Sequence, residues 1–175
     1  MGLQSRLDTL KKEFTANVPD DALAIMNQET EKLIASDIVA GAIKMGEKLP
    51  NGQLKDENNE LVNIDQLIDG KPLVISFYRG GWCPYCVLEL KGLEEVSNEI
   101  KALGANIIAM TPESVANVQE TKEKTGVTFG VYSDEASHYA KELGLVFTLP
   151  KVLQEIYLKF DIDVEKHNGE SKFEL

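Results

Sequence analysis

The chain has 175 residues, of which 43% are hydrophobic and 27% are charged, a globular composition that excludes wholesale disorder. The 18 basic and 29 acidic residues give a net charge of −11, so the basic surface that attracts nucleic acids or anionic membranes is absent. No apolar run reaches the roughly 18 residues that span a membrane, and the charged N-terminus predicts no secretory signal. We therefore expect a cytoplasmic protein that binds neither nucleic acid nor membrane.

The N-terminal part of the chain predicts a helical arm over residues 1–40. Apolar residues recur at helical spacing over 3–14, and Asp20 and Asp21 are candidate caps of a second helix. The apolar stripes of both helices need cover, so the arm is predicted to pack on the rest of the chain or to support a dimer. Residues 41–175 are predicted to form the main domain.

The first strands are predicted from turn signals and from apolar patterning. Residues 52–61 and 61–67 fit a short hairpin followed by a helical turn. Residues 72–78 are apolar on both faces and predict a central strand that is covered on both sides. From Pro84 to Leu103 the apolar period becomes helical.

Strands and helices continue to alternate, which predicts an α/β fold with parallel strands. We predict a buried strand over 106–110 and then a helix over 111–118, capped by Thr111 with Pro112 at its first position. Another strand follows over 128–132, and a helix capped by Ser133 and Asp134 over 133–144. The last predicted element is an amphipathic helix over 151–160. The polar tail 161–175 is predicted to be loosely held.

Cys83 and Cys86 are the only cysteines of the chain. Without an export signal, a Cys-x-x-Cys spacing indicates redox chemistry or half of a metal site. Zinc would need two more ligands, and His138 and His167 stand 29 positions apart, unlike a zinc-finger pair. An iron–sulfur cluster shared between subunits is a second metal alternative. We predict no metal and no organic cofactor, because thiols carry electrons by themselves.

The position of the two cysteines favours redox chemistry. Cys83 lies at or just before the start of the helix that follows the strand, and Pro84 suits the first helical position. A thiolate there faces unpaired N–H groups and the positive end of the helix dipole, which lower its pKa. Arg79 would add positive charge and Trp82 would shield the pair. Cys86, one turn later, is placed to attack a mixed disulfide or a sulfenic acid on Cys83, or the reverse.

Residues 77–86, Phe-Tyr-Arg-Gly-Gly-Trp-Cys-Pro-Tyr-Cys, resemble the active-site segment of the peroxiredoxin-like branch of the thioredoxin superfamily, the alkyl hydroperoxide reductase and thiol-specific antioxidant proteins. Residues 45–62, 104–111 and 132–144 are similar to other segments of that family, so the resemblance covers roughly 40–150. It implies a thioredoxin-like fold, in which helices flank a central mixed sheet, and antioxidant thiol chemistry.

Two registers of this resemblance assign the cysteines differently. In the thioredoxin register Cys83 is the nucleophile, and Pro84 and Tyr85 are the pair that glutaredoxins carry between their cysteines. In the peroxiredoxin register Cys86 falls on the peroxidatic cysteine, and Glu89 falls on the acid three residues later.

The chain also departs from the peroxiredoxin pattern. Cys83 stands in the place of the usual threonine and Arg79 in that of the usual proline, which argues against a high peroxidase rate. A helical pattern follows Pro150, where these folds continue with a hairpin after a cis-proline. We therefore expect either a truncated chain or another segment in that place. In a truncated chain an open sheet edge would favour pairing with a second copy, as a homodimer.

Three functions are consistent with the sequence. The first is a thiol peroxidase that cycles between the Cys83 and Cys86 dithiol and its disulfide, with thioredoxin or glutathione as the external reductant. The second is a thioredoxin-like reductase of protein disulfides, and the third is a redox sensor or interaction module without turnover. The residues predicted to support the cysteines are Arg79, Trp82, Pro84, Tyr85 and Glu89. His138 is predicted to be a surface residue.

Overall fold

The computed structural model describes residues 2–175. The strands are β1 (Gln53–Lys55), β2 (Leu61–Asn63), β3 (Leu73–Phe77), β4 (Asn106–Thr111) and β5 (Gly130–Ser133). The helices are α1 (Leu3–Asn17), α2 (Asp20–Ala35), α3 (Ile38–Gly41), α4 (Ile64–Ile68), α5 (Pro84–Ala102), α6 (Val115–Thr125), α7 (His138–Glu142), α8 (Lys151–Lys159) and α9 (Val164–Asn168).

The strands form one mixed sheet in the order β2-β1-β5-β4-β3. β3, β4 and β5 are parallel, whereas β1 pairs antiparallel with both β2 and β5. The predicted α/β fold and the predicted hairpin are therefore confirmed. Parallel strands bring their carboxyl ends to one edge of the sheet, and the Cys-x-x-Cys segment follows β3 at that edge.

The prediction that β3 is a central strand is wrong, because β3 lies at the edge of the sheet. Val74 and Phe77 are each 37% exposed, while β4 is the strand buried along nearly its whole length. An apolar pattern on both faces reports cover above and below a strand, and it carries no information about neighbours in the sheet. Within residues 2–175 no further strand of the sheet follows β5.

Hydrophobic clusters cover both faces of the sheet and fix α5 against it. On one face, Leu90 of α5 and Val118 of α6 pack with residues of β4 and with both cysteines. On the other face, Leu54 and Ile64 pack with Tyr139. The Cys-x-x-Cys segment therefore connects an edge strand to a helix that is held by the cluster containing Leu90 and Val118.

The helix predicted after Thr111 begins three residues later than expected. Thr111 still belongs to β4, because it pairs in register with Ser133 of β5. The cap of α6 is Ser114, which leaves Glu113 in the connection between strand and helix. Asp134 acts as the predicted cap in part, since its carboxylate accepts the backbone N–H of Tyr139, although α7 itself begins only at His138.

The prediction of a loosely held tail over 161–175 is wrong. Val164, Asn168 and Ser171 are at most 2% exposed, and the backbone of Leu175 exchanges two hydrogen bonds with that of Phe147. The short apolar stretches of this segment escape notice in the sequence because none spans two helical turns. They bury their side chains in a third cluster, together with residues of α2 and α8.

The N-terminal helices pack on the rest of the chain. Leu3 of α1 lies against Gly92 of α5, and Arg6 donates two hydrogen bonds, of 2.6 and 2.8 Å, to the carboxylate of Glu95. Helix α2 packs on α8. None of the helices in the described part of the chain is long and apolar enough to cross a membrane.

The third cluster should contribute measurably to stability. We expect Leu153→Ala to lower the free energy of unfolding by about 2–5 kcal/mol, because it opens a cavity in a packed site. Leu158→Ala on the same helix is the matched control, since Leu158 is 56% exposed, and it should cost less than about 0.5 kcal/mol. Urea denaturation measures both values, and equal losses would contradict a folded C-terminal segment.

Candidate active site

Both cysteines lie at the beginning of α5, as the sequence predicts. Cys83 is the N-cap residue and Pro84 takes the first helical position. The N–H of Cys83 donates a 3.0 Å hydrogen bond to the carbonyl of Gly80, which closes the turn between β3 and the helix. Cys83 has no exposed surface and Cys86 is 8% exposed, and both are free thiols.

The two sulfur atoms differ strongly in acidity. The pKa of Cys83 is lowered to about 5, first by a hydrogen bond from the Cys86 thiol and then by the positive charge of Arg79, against the opposing effect of burial. The pKa of Cys86 is raised above its ordinary value, because its thiol proton is held by Cys83 and its surroundings are apolar. The directions of the two shifts favour the thiolate on Cys83 and the protonated thiol on Cys86.

Arg79 is fixed in place beside the thiolate. Its Nη2 donates to the Sγ of Cys83 at 3.1 Å, and its Nη1 donates to the Tyr157 hydroxyl at 3.2 Å. The guanidinium carbon lies 5.2 Å from the centroid of the Trp82 ring, and that ring meets Tyr157 edge-on at 5.7 Å. The sequence predicts Arg79 and Trp82 as supporting residues, and the structure brings both to the cysteines. It adds Tyr157, which the pattern of α8 shows only as an apolar position.

Glu113 is the site residue that sequence reasoning missed. Its side chain is 1% exposed, and its Oε2 accepts the backbone N–H of Gly81 at 2.9 Å. Burial is the main cause that raises the pKa of Glu113 to about 7. One signal in the sequence pointed to it, because Glu113 is an acidic residue two positions after the end of β4. Strand β4 neighbours β3, which leads into the Cys-x-x-Cys motif.

The turn between β3 and α5 is held on several sides. Lys124 of α6 donates to the carbonyl of Gly81 at 2.9 Å, opposite the contact that Glu113 makes with its N–H. A side chain at Gly80 would bring a Cβ within 2.7 Å of the Glu113 carboxylate, and one at Gly81 would overlap the hydroxyl of Thr121. The lack of a side chain at Gly81 therefore lets α6 approach the turn closely, and the lack of one at Gly80 leaves room for Trp82 and the Glu113 carboxylate.

The remaining predicted residues lie farther from the sulfur atoms. Tyr85 is half-buried against the core that contains the cysteines, while Pro84 and Glu89 are exposed. In the described part of the chain no hydrogen bond joins Glu89 to either cysteine. His138 lines a cavity between β1 and α7 that contains neither cysteine. Among residues 2–175 there is no group of three or more histidine, cysteine and acidic side chains that would hold a metal ion.

Comparisons with known proteins agree with this geometry. Residues 45–159 match the AhpC/TSA family. Peroxiredoxin Q of rice (Oryza sativa subsp. japonica), a chloroplastic protein, is 30% identical over 148 residues, which cover 77% of this chain and 67% of the rice protein. Peroxiredoxin Bcp of Escherichia coli strain K12 is 24% identical over 103 residues, covering 59% of this chain and 65% of that protein.

The fold is shared with a solved structure as well. The crystal structure of peroxidoxin BcpB from Mycobacterium tuberculosis superposes with a TM-score of 0.58 at 20% sequence identity. The superposition covers 61% of this chain and 70% of that protein. Both α1 and α2 precede the segment that matches the family.

Removal of the Arg79 charge should weaken the thiolate. We expect Arg79→Gln to raise the pKa of Cys83 by roughly one to two units above its value of about 5, because a buried anion loses its charged partner. The rate at which iodoacetamide alkylates Cys83, followed against pH by peptide mass mapping, measures this midpoint. Lys101→Gln, in the last turn of α5 and so at the opposite end of the helix from Cys83, is the control. An unchanged midpoint in Arg79→Gln would contradict the assigned role.

Proposed function

Because this chain belongs to the AhpC/TSA family and is a thiol-dependent peroxidase, we propose that it reduces hydroperoxides with the Cys83 thiolate and resolves the product with Cys86. The observation that carries this assignment is the contact of Arg79 with the Cys83 sulfur at the N-terminus of α5. The contact stabilises an anion on the first cysteine of the motif and leaves the second cysteine protonated.

The proposed cycle has three steps. The Cys83 thiolate attacks the terminal oxygen of the hydroperoxide, the O–O bond breaks, and the alkoxide takes up a proton and leaves as an alcohol. The sulfenic acid on Cys83 then reacts with the Cys86 thiol, which forms the disulfide and releases water. An external reductant, either one dithiol or two monothiol molecules, finally donates two electrons through a mixed disulfide and restores the pair. No organic cofactor is needed, because sulfur carries both electrons.

The surrounding residues have supporting roles in this proposal. Arg79 holds the thiolate and would stabilise the negative charge that develops on the leaving oxygen. Trp82 and Tyr157 keep Arg79 in place from two sides. Pro84 starts the helix whose Cys86 N–H acts on the Cys83 sulfur, and Tyr85 closes the apolar side of the pair. A contribution of Glu89 remains a prediction, since Glu89 is exposed.

Substrate is proposed to enter beside Arg79. Cys83 itself is closed to solvent, whereas a cavity of about 340 Å³ between α2 and α8 is lined by both Arg79 and Tyr157. A second cavity, of about 180 Å³, meets Arg79 from the side of Phe77. Movement of the Arg79 side chain away from the sulfur would connect either space to the thiolate.

The assignment of Cys83 as nucleophile follows the thioredoxin register rather than the peroxiredoxin register. In the peroxiredoxin register Cys86 would attack the peroxide, and its raised pKa argues against that role. Under this assignment the attacking cysteine stands at the position where the peroxiredoxin pattern has a threonine. The low pKa of Cys83 also favours the second candidate function, reduction of a protein disulfide, in which Cys83 attacks and Cys86 resolves.

Further properties belong to the same proposal. We propose thioredoxin or glutathione as the reductant and the cytoplasm as the compartment. The open edge of β3, with Val74 and Phe77 partly exposed, is the proposed contact of a homodimer. Residues 1–40 are proposed as an extension that packs on a domain formed by 41–175.

Single cysteine variants separate these candidates. In fully reduced protein treated with a few equivalents of hydrogen peroxide, the intact mass of the wild type should fall by two hydrogen atoms within seconds. Cys86→Ser should instead gain one oxygen, as a sulfenic acid on Cys83, and Cys83→Ser should stay unchanged on that timescale because it lacks the thiolate.

The opposite pattern in the two variants would assign the attack on peroxide to Cys86. A wild-type mass that stays unchanged over many minutes would contradict peroxidase activity. Turnover of a protein disulfide by the same sample would then favour the reductase.

A further inference from the structure

The carboxylate of Glu113 is buried without a permanently charged partner. Its Oε2 accepts the Gly81 N–H, and its Oε1 lies 3.4 Å from Nδ1 of His167. Burial lowers the pKa of His167, so the imidazole is predominantly neutral at pH 7. The ammonium of Lys124 donates to the Gly81 carbonyl rather than to the carboxylate. A carboxyl group in such surroundings favours its protonated form.

Glu113 is enclosed by several elements that carry titratable groups. The groups that face it or act on its charge come from the residues between β3 and α5, from α6, from the connection before α9 and from α9 itself: Tyr78, Cys83, Glu120, Lys124, Asp161 and His167. Glu120 and Asp161 are carboxylic acids, and Cys83 is a thiol that is ionised in the reduced protein. The only permanently positive one is Lys124.

A polar cavity connects Glu113 with the protein surface. Its volume is about 270 Å³, and its walls include Glu113, Trp82, Asn117 and His167. The side chain of His167 is 31% exposed, so one wall of the cavity reaches solvent. A space of this size and polarity holds water, and water would carry protons between the carboxyl group and solvent.

Glu113 is also coupled to the charge on Cys83. Its carboxylate binds the N–H of Gly81, only two residues before Cys83, in the turn that presents the thiolate. Two negative charges in such a partly buried place repel each other, so the thiolate favours protonated Glu113. Formation of the disulfide removes the charge on sulfur and with it this repulsion.

We propose that Glu113 is a redox-linked proton site, which holds a proton while Cys83 is a thiolate and releases it when the Cys83–Cys86 disulfide forms. The inference rests on the proposed function, because it needs the peroxide-driven formation of this disulfide. Glu113 is a positioning residue in this scheme, since it acts on Cys83 through the turn and through its charge.

The reaction with peroxide consumes a proton, which Glu113 is placed to supply. Attack of the Cys83 thiolate on a hydroperoxide consumes one proton to convert the alkoxide into an alcohol. Condensation of the sulfenic acid with the Cys86 thiol releases water and needs no further proton. One proton is therefore taken up for each disulfide at neutral pH, and Glu113 would provide part of it from within the protein. Reduction by the external thiol reductant returns the thiolate and recharges Glu113 from solvent.

Proton uptake during a single turnover tests the proposal. Reduced protein in weak buffer at pH 7 receives hydrogen peroxide, a pH indicator reports the uptake, and intact mass reports the disulfide formed. A fall of about one unit from a pKa of about 7 would release roughly 0.4 proton, so we expect wild-type uptake of roughly 0.6 proton per disulfide. Glu113→Gln should take up one proton. Near pH 9 the wild type should also approach one proton, because Glu113 is then ionised in both states.

Glu123→Gln is the matched control. Glu123 is an exposed carboxylate on α6 that lies outside the cavity, and this variant should keep the wild-type uptake. Equal uptake by the wild type and Glu113→Gln, with the disulfide fully formed, would overturn the proposal. Absence of the disulfide in the mass spectrum would instead contradict the proposed function.

Infrared difference spectra of the wild type keep the test decisive if Glu113→Gln does not fold. Oxidation should remove the carbonyl band of a protonated carboxylic acid at pH 7, and a spectrum without this change would overturn the proposal.

Discussion

A sulfur anion closed off from solvent is the constraint on which the rest of this site depends. Burial alone would protonate a thiolate, so a buried one needs charge and hydrogen bonds aimed at it. Cys83 receives them from the Cys86 thiol, the Arg79 guanidinium and the backbone N–H of Cys86. Each of these donors is itself held by the fold. Cys86 is fixed by the helix, and Arg79 is held between Tyr157 and Trp82.

The turn before Cys83 is held in place by side chains of the core beneath the site. Glu113 binds the backbone N–H of Gly81 and Lys124 binds its carbonyl, and both side chains belong to α6 or to the connection before it. Thr121 of this helix leaves no room for a side chain at Gly81, and Trp82 and the Glu113 carboxylate leave none at Gly80. The two glycines are therefore required by packing, while the same packing buries a carboxyl group next to the redox pair.

Segments outside the family match complete the surroundings of the site. Helix α2 precedes residues 45–159, yet it forms one wall of the cavity that reaches Arg79. The residues after 159 supply His167, whose backbone carbonyl accepts hydrogen bonds from Ser114 and Asn117. Family membership accounts for the sheet, whereas access to the cysteines and the surroundings of Glu113 depend on segments outside the family match.

The sequence by itself determined the α/β order of elements, the redox pair and its place at the start of α5, because local periodicity, proline and cysteine spacing are encoded over a few neighbouring residues. It also identified Arg79 and Trp82, which stand within the motif. Only the tertiary structure decided that β3 is an edge strand, that the tail after Asp161 is packed, and that Tyr157 and Glu113 belong to the site. Those residues are 74 and 30 positions from Cys83 in the chain, and a contact over such a separation depends on how helices and strands pack. The difference in acidity between the two thiols likewise arises from burial and from neighbours that the fold brings together.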